Sequence, residues 1–155
     1  MSSLLVVRHA RAGSRRRWDG ADEKRPLSGR GRRQAGALVK LLVPFGPTRI
    51  LSSPYVRCVE SVEPLSEKLG LVVETSDALA EGAPAKQVVT LARSLIGSTS
   101  VLCSHGDEIS ALLRALSHDH GLELPEHHEC AKGSTWVLRE RKGRYASASY
   151  LPGPA

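Results

Sequence analysis

The apolar positions change period several times along the chain. Leu4, Leu5, Val6 and Val7 follow one another without a polar break, and Ser100 to Ser104 repeats the pattern. Such runs fit strands covered on both faces, as in a parallel α/β sheet. Ala35, Leu38, Val39 and Leu42 recur at helical spacing behind Ser28, which reads as an N-cap, and Pro44 with Gly46 ends that helix. Ser53-Pro54 predicts a second helix, with the serine as cap and the proline at the first helical position. Its inward stripe is Val56, Val59, Val62, Leu65 and Leu69, and Gly70 closes it. Val88, Leu91, Ala92 and Leu95 mark a third helix ending at Gly97. Ile109, Leu112, Leu113 and Leu116 mark a fourth, starting just after His105. Short strands are expected at Arg49–Leu51 and Leu71–Val73. A His- and Glu-rich loop is expected from Ser117 to Lys132, and a closing hairpin from Thr135–Leu138 and Tyr145–Tyr150 through Lys142-Gly143.

This alternation predicts a three-layer α/β/α sandwich with a mostly parallel central sheet. No repeat or linker divides the chain, so residues 1–151 are read as one domain and 152–155 as a frayed tail. At 155 residues the chain can bury a real core. Aromatic residues make up only 4%, so aliphatic side chains must supply most of the packing.

The formal charge of +6 and a pI near 9.6 favour anionic partners. No RNA-binding aromatic motif or zinc-finger spacing points to nucleic acid. Three cysteines do not make a disulfide framework; Cys58 and Cys103 read as small core residues. Leu4–Val7 is too short for a signal-peptide core, and no stretch is long enough to span a membrane. The expected setting is cytoplasmic, without membrane association.

Three strand-to-helix junctions carry unusual polar residues: Arg8-His9, Ser53 to Arg57, and Ser104-His105-Gly106. Sites in open α/β sheets form outside the carboxyl ends of strands. Arg8, His9, Arg57 and His105 can therefore share one crevice. A neutral imidazole is a competent nucleophile, and arginine binds phosphate through paired donors without losing its charge. Two arginines and a second histidine would stabilise a phosphoryl group in transfer. Such a pocket calls for no metal and no cofactor.

Other polar clusters read less specifically. Arg15, Arg16, Arg17 and Trp18 could meet a polyphosphate or stack on a base, or form a solvated basic loop. Lys24 and Arg25 could border the pocket, while Arg30, Arg32 and Arg33 read as an exposed helix face. His118, His120, His127, His128 and Cys130 match no standard zinc spacing. Trp136 is expected to pack on the sheet.

Together these segments resemble the histidine phosphatase superfamily, the phosphoglycerate-mutase-like fold. The resemblance runs through Arg8-His9-Ala10, Arg25-Pro26-Leu27-Ser28 with Gly31, Ser53-Pro54-Tyr55-Val56-Arg57, and His105-Gly106. The short length resembles the SixA phosphohistidine phosphatase branch. Val7-Arg8-His9-Ala10, Lys24-Arg25-Pro26-Leu27, Val56-Arg57-Cys58 and Lys132-Gly133-Ser134-Thr135-Trp136 are similar to the phosphatase-like C-terminal domain of actinobacterial MutT-type nudix hydrolases. The nudix box itself is absent. The resemblance implies that His9 takes the phosphoryl group, that Arg8, Arg57 and His105 clamp it, and that Glu81 is the general acid, with Asp77 as fallback. Ala10 replaces the family's usual glycine, and its methyl could narrow the approach to the backbone. The long insertions with which mutases enclose a sugar phosphate are missing.

The expected activity is metal-independent hydrolysis of a small phosphorylated metabolite or nucleotide through a phosphohistidine. A SixA-like protein phosphohistidine phosphatase is an alternative. So is a catalytically silent phosphate-binding domain partnered with a nudix hydrolase. A mutase is the most distant reading.

Overall fold

Strand β1 (Ser3–Arg8) divides its side chains between two cores. Leu5 and Val7 face one, with Leu38, Leu42, Ile50, Cys58, Val62 and Leu65; Leu4 and Val6 face the other, with Leu102, Leu112, Leu113, Leu116 and Trp136. Burial on both faces is why the run is apolar without alternation. The computed structural model describes residues 2–126 and 129–154.

After β1 the elements are α1 (Gly29–Leu42), β2 (Arg49–Ser52), α2 (Val56–Leu69) and β3 (Val73–Thr75). Then come α3 (Ala85–Ser94), β4 (Ser100–Ser104), α4 (Gly106–His120), β5 (Thr135–Arg141) and β6 (Arg144–Leu151). The sheet order is β3-β2-β4-β1-β5-β6. The pairs from β3 to β1 are parallel, and β1–β5 and β5–β6 are antiparallel. α1 and α2 pack on one face, α3 and α4 on the other. The expected α/β sandwich with a mostly parallel sheet is therefore what the chain forms.

Several boundaries differ, each for a local reason. α2 begins at Val56 with Tyr55 as its cap residue, not at Ser53-Pro54. Ser53 is drawn away: its Oγ lies 2.9 Å from His105 Nε2 and accepts from the Tyr55 amide. The buried face of α2 is Arg57, Cys58, Ser61, Val62 and Leu65, so Val56 and Val59 are only partly covered. A strand at Leu71–Val73 does not form. The Leu71 amide bonds back to Ser66 O behind left-handed Gly70, which makes it part of the helix terminator, and pairing with Ile50–Ser52 selects Val73–Thr75. α4 runs one turn beyond Leu116 before Gly121 caps it. The hairpin turn Lys142-Gly143 has positive φ at both residues, 53° and 76°, the geometry that matches strand twist in a two-residue loop. Residues 152–154, expected to fray, are held: Pro154 O accepts from Gln34 Nε2, and Gly153 packs against the Gly133 backbone.

No helix among the described residues is long and apolar enough to cross a membrane.

Candidate active site

The carboxyl ends of β1, β2 and β4 lie side by side, so the junctions that follow them deliver side chains to one place. A cavity of about 170 Å³ is lined there by Arg8, His9, Arg57 and His105, together with Arg15, Arg25, Glu81 and Lys132. Arg16 and Lys24 are exposed on the neighbouring loop and are not among its lining residues. Asp77 is exposed in a 3-10 turn and is not among them either.

His9 is 6% exposed. Its Nδ1 lies 2.8 Å from the Ala10 carbonyl oxygen. A carbonyl can only accept, so Nδ1 carries the proton and Nε2 keeps its lone pair. Burial pushes the pKa from 6.5 down to about 3; the Ala10 bond opposes this, and charge at His105, Arg57 and Arg8 adds to it. The ring is therefore neutral near pH 7. The Ala10 amide donates to Ser61 Oγ at 2.8 Å, and Ser61 in turn donates to Arg57 O at 2.6 Å, tying the His9 turn to α2. The Ala10 methyl packs with Leu27 and Ala35 and does not line the cavity, so it does not narrow it as the sequence suggested.

Arg57 is 1% exposed and sits in the first turn of α2, held by what surrounds it. Its Nη1 donates to Asp22 O at 2.9 Å, and its Nη2 donates to Asp22 Oδ2 and to Glu81 Oε2, each at 3.1 Å. The guanidinium lies 4.9 Å from the Tyr55 ring centroid. Arg8 donates from Nη1 to Cys130 O at 2.6 Å. A Cβ on Gly106 would come to 3.0 Å from the Arg8 guanidinium carbon, so the glycine after His105 gives Arg8 room to lie beside the start of α4.

His105 is the N-cap residue of α4, 3% exposed, with its ring centroid 5.5 Å from that of His9. Three buried nitrogens around this cavity have no hydrogen-bond partner among the described residues: Arg8 Nε, Arg57 Nε and His105 Nδ1. Buried polar groups are nearly always paired, and their clustering on one cavity suits an acceptor-rich anion.

Two residues of this arrangement escaped the sequence reading. Asp22 orients both Arg57 and Arg25, whose Nε donates to Oδ1 at 3.0 Å. Burial opposes its ionisation, but the Arg25 bond and the Arg57 charge outweigh that and hold its carboxyl below the usual range. Nothing in the sequence set it apart from Asp19 and Glu23 in the same loop. Lys132 lines the cavity opposite, its pKa lowered by burial and by Arg8, Arg11, Arg25 and Arg15. It lies in the Lys132–Trp136 segment that carried part of the resemblance.

Among the described residues, no group of three or more His, Cys, Asp or Glu side chains is placed to hold a metal ion. His118 pairs with Asp119, and His120 stacks on Tyr145. His127 and His128 lie outside the described residues. Trp136 is buried in the core under α3 and α4.

Comparison with known proteins places the chain in a family. The chain is 37% identical over 98% of its length to an 8-oxo-(d)GTP phosphatase of Mycolicibacterium smegmatis, and it spans 48% of that relative. A SixA protein histidine phosphatase solved with tungstate superposes with a TM-score of 0.74 at 15% identity, covering 97% of this chain and 95% of the other. A mycobacterial glucosyl-3-phosphoglycerate phosphatase solved with inorganic phosphate gives 0.74 at 21% identity, covering 98% and 96%. Both share the fold. Residues 4–85 match the family model of the histidine phosphatase superfamily, branch 1, and with all of β1 but Ser3, the Arg8-His9 turn and Arg57 inside that span, this chain belongs to that superfamily.

Proposed function

We propose that this chain is a phosphatase that takes the phosphoryl group of a small phosphorylated metabolite or nucleotide onto His9 and then transfers it to water. One observation carries the reading. A neutral imidazole shares a small cavity with three nitrogens that have no partner among the described residues, two on guanidiniums and one on a second imidazole.

In the first step His9 Nε2 attacks phosphorus, the bond to the leaving oxygen breaks, and Glu81 gives that oxygen its proton. The phosphorylated imidazolium keeps its Nδ1 proton on the Ala10 carbonyl. In the second step water attacks phosphorus, Glu81 accepts a proton from it, and the P–N bond breaks. Arg8, Arg57 and His105 bear the charge of the phosphoryl group throughout. With Ser53 Oγ donating to His105 Nε2, His105 Nδ1 carries a proton and serves as a donor. The cations come from side chains, so a metal ion has no part in the scheme.

The cavity of about 170 Å³ suits one phosphoryl group; whole small-molecule sites run roughly 300–1,000 Å³. The mycolicibacterial relative's name favours a nucleotide as substrate. That relative is about twice as long, and a nudix-type partner domain belongs to this proposal as well.

The test is hydrolysis of an aryl phosphate in the presence of a chelator by the wild type and by His9→Ala. Loss of turnover in the variant is expected, with acid-labile, base-stable phosphate trapped on His9 in the wild type. Equal rates in both proteins overturn the reading.

A further inference from the structure

We propose that a second cavity beside the first is a leaving-group subsite, where the base of a nucleoside phosphate stacks on Trp18. The inference rests on the reading that the phosphoryl group is taken at His9, and it adds what the rest of the substrate is.

The second cavity measures about 450 Å³ and is lined by Arg15, Trp18, Gly20, Asp22 and Glu81. Arg15 and Glu81 also line the phosphate cavity, so the two adjoin. The first is too small for a nucleotide; the second falls in the range of small-molecule sites.

Trp18 is unusual in this chain. The other tryptophan, Trp136, is buried, whereas Trp18 is 38% exposed. Exposure alone would mean little, but this ring is held in place. Its Nε1 donates to the Ala21 carbonyl at 2.9 Å. Gly20 lies against the indole so closely that a Cβ there would sit 3.1–3.2 Å from Nε1, Cε2 and Cζ2. With its one polar atom engaged, the ring has only apolar and π surface to offer. A rigid, pre-set aromatic plane binds a flat ring at low ordering cost. Stacking tolerates any base, because every base has a π-face.

The remaining walls fit the same ligand. Arg15 sits between the cavities with its side chain 71% exposed, and its contact to Asp22 is a long 3.8 Å. It is free to meet the phosphate or ribose linking base to phosphoryl group. Asp22, which lines only the second cavity, carries carboxylate oxygens with lone pairs that can accept from the amino and ring N–H groups of a base edge.

Two measurements test the subsite. The first follows tryptophan fluorescence of His9→Ala, which needs no turnover, during titration with guanosine monophosphate, ribose 5-phosphate and inorganic phosphate. The nucleotide should quench more strongly than the other two, and a Trp18→Phe substitution in the same background should remove the difference. The second compares wild type, Trp18→Ala and Trp18→Phe as catalysts. In Trp18→Ala the KM for the nucleotide should rise roughly ten-fold more than the KM for ribose 5-phosphate, with Trp18→Phe restoring most of the gap. Equal quenching by nucleotide and sugar phosphate overturns the subsite, as do equal KM changes. So does a phosphohistidine peptide as the substrate most affected by Trp18→Ala. Wild-type protein that quenches with nucleotide yet hydrolyses nothing would sink the phosphatase reading and leave the subsite standing.

Discussion

Asp22 meets Arg57 twice: its carbonyl oxygen accepts from Nη1 at 2.9 Å, and its carboxylate Oδ2 accepts from Nη2 at 3.1 Å. The same carboxylate accepts from Arg25, so one residue of an exposed loop fixes two buried guanidiniums. Asp22→Ala should raise the KM for phosphate esters and lower stability. A buried donor losing its partner costs about 1–3 kcal/mol. The low end is expected, because the backbone contact remains and the carboxylate is partly solvated. Urea midpoints and KM values check both.

Ser53 is fully buried and has its hydroxyl on His105 Nε2. In Ser53→Ala the ring loses the partner that sets its tautomer. One such hydrogen bond is worth about 1 kcal/mol, so kcat/KM should fall about five-fold. Ser53→Thr should recover part of it. The imidazole 15N shifts of His105 should show a mixed tautomer in the alanine variant and one tautomer in the wild type.

Glu81 touches Arg57 Nη2 and lines the cavity, half open to solvent. In its proposed role as general acid it would matter most when the leaving group is a poor one. Glu81→Gln should slow alkyl phosphate hydrolysis by about a hundred- to ten-thousand-fold. A phosphohistidine peptide, whose imidazole leaves easily, should lose far less. Equal losses on both substrates would remove Glu81 from this role.

His9 makes stability depend on pH. Unfolded, it takes a proton near 6.5; folded, only near 3. Between those values the unfolded chain binds the extra proton, so stability falls as pH drops from 6.5 towards 3. The slope from this one group is about 1.4 kcal/mol per pH unit. Urea unfolding at several pH values should give a shallower acid decline for His9→Asn than for wild type.

Two glycines of α1 should respond in opposite directions. A Cβ on Gly31 would sit 1.8 Å from the Arg11 carbonyl oxygen, where helix and loop cross. Gly31→Ala should therefore unfold the protein or destabilise it by several kcal/mol, on the order of other overpacked cores. A Cβ on Gly36 would meet no other atom of the described residues within 4 Å beyond its chain neighbours and its own helix backbone, and the position is exposed in the helix interior. Gly36→Ala should stabilise by about 1 kcal/mol. Thermal midpoints of the two variants decide it.

The sequence by itself determined the layers of this fold and the heart of its candidate site. Runs such as Leu4–Val7 can be satisfied only under cover on both faces, and periods such as Ile109, Leu112, Leu113 and Leu116 only on a helix. Strand ends then placed Arg8, His9, Arg57 and His105 on one side of the sheet. Only the tertiary structure decided the rest, because it depended on partners distant along the chain. Ser53 has the local chemistry of a helix cap, yet it serves His105, 52 residues away. Leu71 has the composition of a strand residue, yet it completes a helix terminator, and pairing with β2 starts the strand two residues later, at Val73. Asp22 looks like any loop carboxylate until Arg57 and Arg25 close around it. Burial and neighbouring charge keep His9 neutral well below the pH at which a free imidazole takes a proton, and both arise only once the strands are packed.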